Sequence, residues 1–321
     1  MKIDINKDKL PKKIILSRKG TDSSWGGSPG LRVGIELISL PIPEHNKKER
    51  RESCVAEPAH LTYKDLPAHP LVGNFIDYLL PSLKPEDCVH LDPDIRPKLR
   101  QNSTTPKFLF GQSAQAQSHL ENQGIKVDDL FLFFGWFRGH QEEREKFKAE
   151  GPHQHILWGW FQVGEKHSVT TEQEADALSW ARHHPHVSHW KRYYGNEKMN
   201  NTLYVATKQL SFFPSLKGAG VFNWSNSRCL TSHDPKCCIS QPTRTEWCVP
   251  EFLATTGLTY NNPAQNERCP GSSKRIHIKS ASIGQEFVFP NGKDKRLQSF
   301  DSQLRRDVAD WLGEIFDGVK A

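Results

Sequence analysis

The chain has 321 residues, with 43 Lys and Arg against 37 Asp and Glu, a formal charge of +6, and 36% hydrophobic residues. That length permits a sizeable core, and no apolar run is long enough for a membrane span or a signal-peptide core, so a cytoplasmic protein without membrane partners is expected. Seven cysteines, an odd number spread over a long chain, do not make a disulfide framework and are expected as thiols. Nine Trp and 17 Phe supply bulky anchors for a folded core with long polar loops.

Residues 1–11 form a basic amino-terminal segment, and 12–321 are read as one domain, because no Pro/Gly/Ser linker and no internal repeat divides them. The first strand is Ile14-Ile15-Leu16, and it runs into the loop Ser17 to Gly30, which carries Arg18, Lys19, Asp22, Ser23, Ser24 and several glycines. Glycines let backbone N–H groups converge on an anion, and the two cations add charge-assisted hydrogen bonds, so phosphate is the natural guest. Neither a GxxxxGK[ST] loop nor a GxGxxG fingerprint is present.

Leu31 to Leu40 is a second strand candidate, ended by Pro41-Ile42-Pro43. Leu71, Val72, Phe75, Ile76, Leu79 and Leu80 recur at helical spacing between two prolines and predict a helix. Asp87 to Leu91 reads as a short strand leading into His90-Leu91-Asp92-Pro93-Asp94. In extended chain Asp92 and Asp94 share a face, where two carboxylates suit a divalent cation such as Mg²⁺ or Mn²⁺; a Pro-centred turn is the competing reading.

Lys107 to Phe110 is followed by a predicted helix that places Gln112 and His119 about two turns apart on one face, able to read a base edge or a ribose. Asp129 to Phe137 is the most apolar piece and fits a strand buried on both faces, with Arg138 at its end. His155 to Val163 is a further strand, and Thr171-x-x-Glu174 has the form of a capping box. His183, His184, His186 and His189 crowd a stretch without clear period, and with His153 and His155 they offer zinc ligands.

Leu203 to Ala206, Gly220 to Trp224 and Glu286 to Phe289 read as later strands, and Leu297 to Phe316 as a closing amphipathic helix. About 225–280 is Cys- and Pro-rich with little periodicity, which predicts an irregular insertion. Within it Cys229, His233, Cys237 and Cys248 are candidate ligands of a structural zinc, at spacings that match no standard finger. The fold class expected is α+β, one domain with a mixed central β-sheet flanked by helices. No GxSxG elbow supports a hydrolytic serine.

Several stretches taken in order resemble one family. They are Ile14 to Gly20 with Asp22-Ser23-Ser24, His90-Leu91-Asp92-Pro93-Asp94, Phe110-Gly111-Gln112, Leu130 to Arg138, Gly218 to Phe222 and Gly284 to Val288. The resemblance is to the third type of nucleotide modification associated domain, an α+β domain placed alongside systems that modify DNA bases in bacteria and their viruses. It implies a nucleotide or DNA substrate and an enzyme, with Arg18, Lys19, Asp22, Asp92, Gln112, Arg138 and Glu286 at the positions of its polar motifs. The expected activity is group transfer: Asp22, Asp92, Arg138 and Glu286 are the candidate catalytic residues, and Arg18, Lys19, Ser23, Ser24, Gln112 and His119 hold substrate or phosphate. A non-catalytic reader of modified DNA and a zinc-stabilised interaction module are the alternatives.

Overall fold

Two long strands, Leu130–Glu143 and Lys146–Ser168, organise the protein. The computed structural model describes residues 5–21, 27–44, 61–65, 84–96, 107–143, 146–191, 200–231, 243–255, 257–261, 263–269, 274–279, 286–290 and 302–320. In chain order the strands are β1 (Ile14–Arg18), β2 (Gly30–Val33), β3 (Glu36–Ile38), β4 (Ile42–Pro43), β5 (Val89–His90), β6 (Leu109–Ser113), β7 (Leu130–Glu143) and β8 (Lys146–Ser168). They continue as β9 (Asn201–Ala206), β10 (Ala219–Val221), β11 (Glu246–Pro250), β12 (Glu267–Arg268), β13 (Arg275–Lys279) and β14 (Glu286–Phe289).

Among the described residues these build a nine-stranded mixed sheet whose main path is β14-β1-β7-β8-β9-β6. The β-branched run of β1 pairs in parallel with the first half of β7 and antiparallel with β14. Farther along the same edge of β7 lies β2, which turns back through Gly34 (φ 57°) into β3. On the other edge β8 carries β10 and then β9. The β7–β8 ladder shifts register between Phe133 and Phe134 and again between Arg138 and Gly139. Such irregularities bend a sheet and tighten its twist.

The result is a sheet that curls until its end strands face each other. Phe110 on β6 meets Phe131 and Phe133 on β7 at ring centroid distances of 5.0 and 5.2 Å, and it stacks on Tyr204 of β9 at 5.6 Å. Ile15, Phe161, Val163 and Val288 complete this inner core. Because side chains alternate along a strand, Ile14 and Leu16 of β1 and Leu130, Leu132 and Phe134 of β7 point the other way. There they pack with Phe287, Phe289 and the closing helix Ser302–Phe316 through Val308, Trp311, Leu312, Ile315 and Phe316. Each large side chain buried in this way contributes roughly 1.5–3 kcal/mol.

Arg228 fixes the end of that helix. Its guanidinium donates to the carbonyls of Ile315, Asp317 and Asn223 at 2.7, 2.6 and 2.6 Å, satisfying acceptors that a helix terminus leaves open. The capping box is present: Thr171 accepts from Glu174 N–H, and Glu174 reaches back to the Thr171 N–H at 3.0 Å.

Some expectations meet a different structure. The stretch from Leu31 to Leu40 is a hairpin of β2 and β3 rather than one strand, because Gly34 supplies the left-handed conformation a turn needs. Gln112 sits in β6, and the helix begins only at Ala114, so Gln112 and His119 do not share a helix face. Part of the region expected to be irregular, about 225–280, forms a second sheet of order β11-β13-β12 beside the short helix Glu251–Thr255. Cys88 is disulfide-bonded where thiols are expected, whereas Cys229, Cys248 and Cys269 are thiols. The helix expected over residues 71–80 lies outside the described residues.

Candidate active site

One end of the curled sheet, its mouth, gathers polar side chains from strands that are far apart in sequence. Alternation places Ser17 of β1, Gln112 of β6 and Glu286 of β14 on the inner face. Ser17 Oγ donates to Glu286 Oε1 at 3.0 Å, and Gln112 Nε2 donates to the same oxygen, tying the two end strands together. Glu286 is buried, and its Oε2 has no hydrogen-bond partner among the described residues. Burial pushes its carboxyl up to about 7, although Lys19, Ser17 and Gln112 all favour the anion.

Lys19 and Asp92 sit beside this wall. The Lys19 ammonium lies 3.4 Å from Asp92 Oδ2 and over the Phe110 ring at 4.5 Å. Its backbone is held in place, since Lys19 N–H donates to Phe134 O and Trp158 Nε1 donates to Lys19 O at 3.2 Å. β6 is the end strand, so its outer edge has backbone groups to spare. Gly111 N–H donates to Asp92 Oδ1 at 2.6 Å, while Asp94 bridges Leu109 through backbone bonds. Burial alone would raise the Asp92 carboxyl, but Lys19 and then the neighbouring histidines hold it well below the usual carboxylate range.

A histidine layer closes over the outer side of β6. Glu44 accepts from His90 Nδ1 at 2.9 Å and from His189 Nδ1 at 3.3 Å. Burial would raise Glu44 and lower His90, yet their attraction outweighs it, leaving Glu44 well below and His90 above its ordinary value. His184 caps the short helix Pro185–Ser188: its Nδ1 accepts from His186 N–H, so its Nε2 carries the proton, 3.5 Å from Asp92 Oδ1. His186 lies flat against Gly111, where any Cβ would come within 2.2 Å of the imidazole. Burial lowers His184 and pushes His186 down to about 3. His90 Nε2 is 4.0 Å from Asp92 Oδ2, and one ligand atom from each of His90, Asp92 and His186 lies within 4.8 Å of the other two.

Next to Asp92 a cleft opens, lined by Gly20, Ser39, Pro93, Arg96 and Trp158. The Arg96 guanidinium packs on the Trp158 ring at 5.2 Å, and its Nη2 has no hydrogen-bond partner among the described residues. Burial lowers Arg96 to about 10, so it remains a cation at neutral pH. Gly20, at φ 128° and with Ser39 Oγ 2.8 Å from where a Cβ would stand, permits the tight bend at the cleft wall.

The chain matches nucleotide modification associated domain 3 over residues 13–290. It belongs to that family. No curated protein and no solved structure was found to match it. Every residue of the nucleotide modification associated domain 3 mouth, from Ser17 to Glu286, falls inside the matched span. No helix among the described residues is long and apolar enough to cross a membrane.

Of the residues singled out from the sequence, the structure brings Lys19, Asp92, Gln112 and Glu286 together. Arg18 turns to the opposite face of β1 from Ser17, where its charge is felt by His155. Arg138 donates to Gly151 O at 3.2 Å on the far half of β7, and His119 faces the ring of Tyr260 at 4.9 Å. Asp94 stands beside His183 at 3.6 Å rather than with Asp92 in the ligand group. Asp22, Ser23, Ser24, His233 and Cys237 lie outside the described residues; Cys229 is near Gln154, and Cys248 touches Cys269 with sulfurs 2.7 Å apart. Glu44, Arg96 and Asn201 carry no sequence signal that separates them from other polar residues. His184 and His186 do, being part of the histidine-rich stretch.

Proposed function

We propose that the chain is an enzyme that modifies nucleotides or nucleic-acid bases by group transfer, with the mouth around Asp92 as its active site. The placement of Asp92 carries this reading: it lines the cleft that holds Arg96 and is at the same time held by Lys19 and the buried histidines. Lys19 and Arg96 supply the cations that hold a phosphate and orient the rest of the substrate. Glu286, with a pKa near 7, serves as the acid or base, because proton transfer is most effective when the pKa lies near the working pH. Ser17 and Gln112 orient that carboxyl. Asp22 as a further catalytic residue and Ser23 and Ser24 as substrate contacts are carried in this reading from the sequence, where they follow Gly20.

A reader of modified DNA needs shape and hydrogen bonds, and has no use for a carboxyl drawn out of water at its neutral point. Mass spectrometry of nucleosides from cells with and without the protein tests the enzyme reading. A nucleoside that changes mass or abundance with expression is expected; an unchanged profile, with DNA binding retained, would replace it by the reader.

A further inference from the structure

We propose that His90, Asp92 and His186 form a mononuclear site for a first-row divalent transition metal ion, with Glu44 and Asn201 orienting the two imidazoles. The proposal concerns the cluster assigned above but is independent of the reaction, since metal binding is measured without substrate.

The tautomers argue for it. Asn201 Nδ2 donates to Val169 O and to His186 O, both at 2.9 Å, which fixes the orientation of the amide. Its Oδ1 is therefore an acceptor, and it meets His186 Nδ1 at 2.6 Å, so that nitrogen carries the proton and Nε2 carries the lone pair. His90 is arranged in the same way, with Nδ1 donating to the Glu44 carboxylate at 2.9 Å. A carbonyl or carboxylate on the far nitrogen is the usual support of a metal-ligating histidine, fixing its tautomer and ring direction. His184 is built in the opposite sense, with the proton on its Nε2, which lies 3.5 Å from Asp92 Oδ1, and so has no lone pair there to offer a metal.

The third ligand fits as well. Asp92 offers about four lone-pair directions. Gly111 N–H and Lys19 use two, and His184 approaches a third at 3.5 Å, which leaves room for one metal bond. Gly111 is the residue that lets the His186 ring lie close enough, because a side chain there would occupy its place. Two imidazole nitrogens and one carboxylate oxygen select Fe²⁺, Co²⁺, Ni²⁺ or Zn²⁺ over Mg²⁺ and Ca²⁺, which prefer all-oxygen shells. A set of three protein ligands also leaves coordination positions for water or substrate on the cleft side.

The test uses the full chain, stripped with chelator and titrated with Co²⁺ and Zn²⁺ by calorimetry, following the visible Co²⁺ absorption bands. One ion per chain is expected, unaffected by millimolar Mg²⁺. His186→Ala should weaken binding by at least about 100-fold and Asn201→Ala by about 10–100-fold, each with an unchanged far-UV circular dichroism spectrum. His183→Ala, beside the cluster but outside the ligand set, should bind as the wild type does and serves as the control that folds. Absence of stoichiometric binding, or a Co²⁺ spectrum that His186→Ala leaves unchanged, would overturn the assignment. Metal binding without any nucleoside change would leave this site standing and remove the base-modification reading instead.

Discussion

Two arginines are drawn into this protein, on opposite sides of the same sheet, and they are treated differently. Arg228, behind the sheet, has its guanidinium bound to three carbonyls around the end of the closing helix. Arg96, at the mouth, packs on Trp158, and its buried Nη2 has no hydrogen-bond partner among the described residues. A buried donor left without an acceptor costs about 1–3 kcal/mol, more for a charged group. The same contrast runs along β1, where Ile14 and Leu16 enter an apolar core while Ser17 faces Glu286. Behind the sheet apolar packing dominates, and at the mouth charged and polar groups from distant strands are gathered.

The largest effect that sharpens this contrast is expected behind the sheet. Trp311 packs on Phe252 at a ring distance of 5.8 Å and is 5% exposed, so Trp311→Ala should cost about 3–5 kcal/mol in urea unfolding. Metal binding below the unfolding transition should not change. A loss of metal affinity in the folded variant would mean that the two regions are coupled.

Glu286→Gln should act in the reverse direction, and only at high pH. Glu286 takes up a proton on folding because its pKa rises from 4.5 to about 7. Its contribution is therefore whole below about pH 4.5 and is lost as the pH climbs through about 7. The amide cannot ionise, so the variant should be more stable than wild type by about 3 kcal/mol at pH 8, at about 1.4 kcal/mol per pKa unit. The two proteins should converge below pH 4.5, where the carboxyl becomes protonated in both states. Equal stability at both pH values would show that Glu286 is solvated.

The smallest stability effect belongs to Arg96. Arg96→Met keeps the packing on Trp158 and removes a buried cation whose Nη2 has no hydrogen-bond partner among the described residues, so stability should move by less than about 1 kcal/mol. Affinity for inorganic phosphate or a nucleoside monophosphate, measured by calorimetry, should fall about 10-fold or more, in line with loss of a charge-assisted contact. Arg228→Met should show the reverse pattern, with lost stability and intact binding.

How much of this the sequence discloses follows from the range of the interactions involved. The apolar run Ile14 to Leu16, the longer run Leu130 to Phe137 and the helical period from Leu304 to Phe316 are local, and they mark β1, β7 and the closing helix. The amino-terminal half of β8, Lys146 to Gln154, is polar and unpatterned, because its strand character comes from pairing with β7. Gln112 reads as helical only until its pairing with Thr202 places it in β6. Asp92 and Glu286 are visible as motifs, but their meeting depends on the curl of the sheet, which register shifts in one ladder produce. His186 is visible in the histidine-rich stretch, but its seat against Gly111 is not, because no local pattern connects the two.

The central claim is that the mouth around Asp92 modifies nucleotides or bases while the back of the sheet holds the fold. Asp92→Asn tests it most directly, because the amide oxygen still accepts from Gly111 N–H while the negative charge is gone. Nucleosides digested from cells expressing the wild type and the variant would be compared by mass spectrometry, with melting temperatures measured alongside. The account predicts that the altered nucleoside falls below about 1% of the wild-type amount, a loss of about 2.7 kcal/mol or more in transition-state stabilisation, while the variant remains folded. A folded Asp92→Asn protein that produces the wild-type nucleoside profile would contradict it.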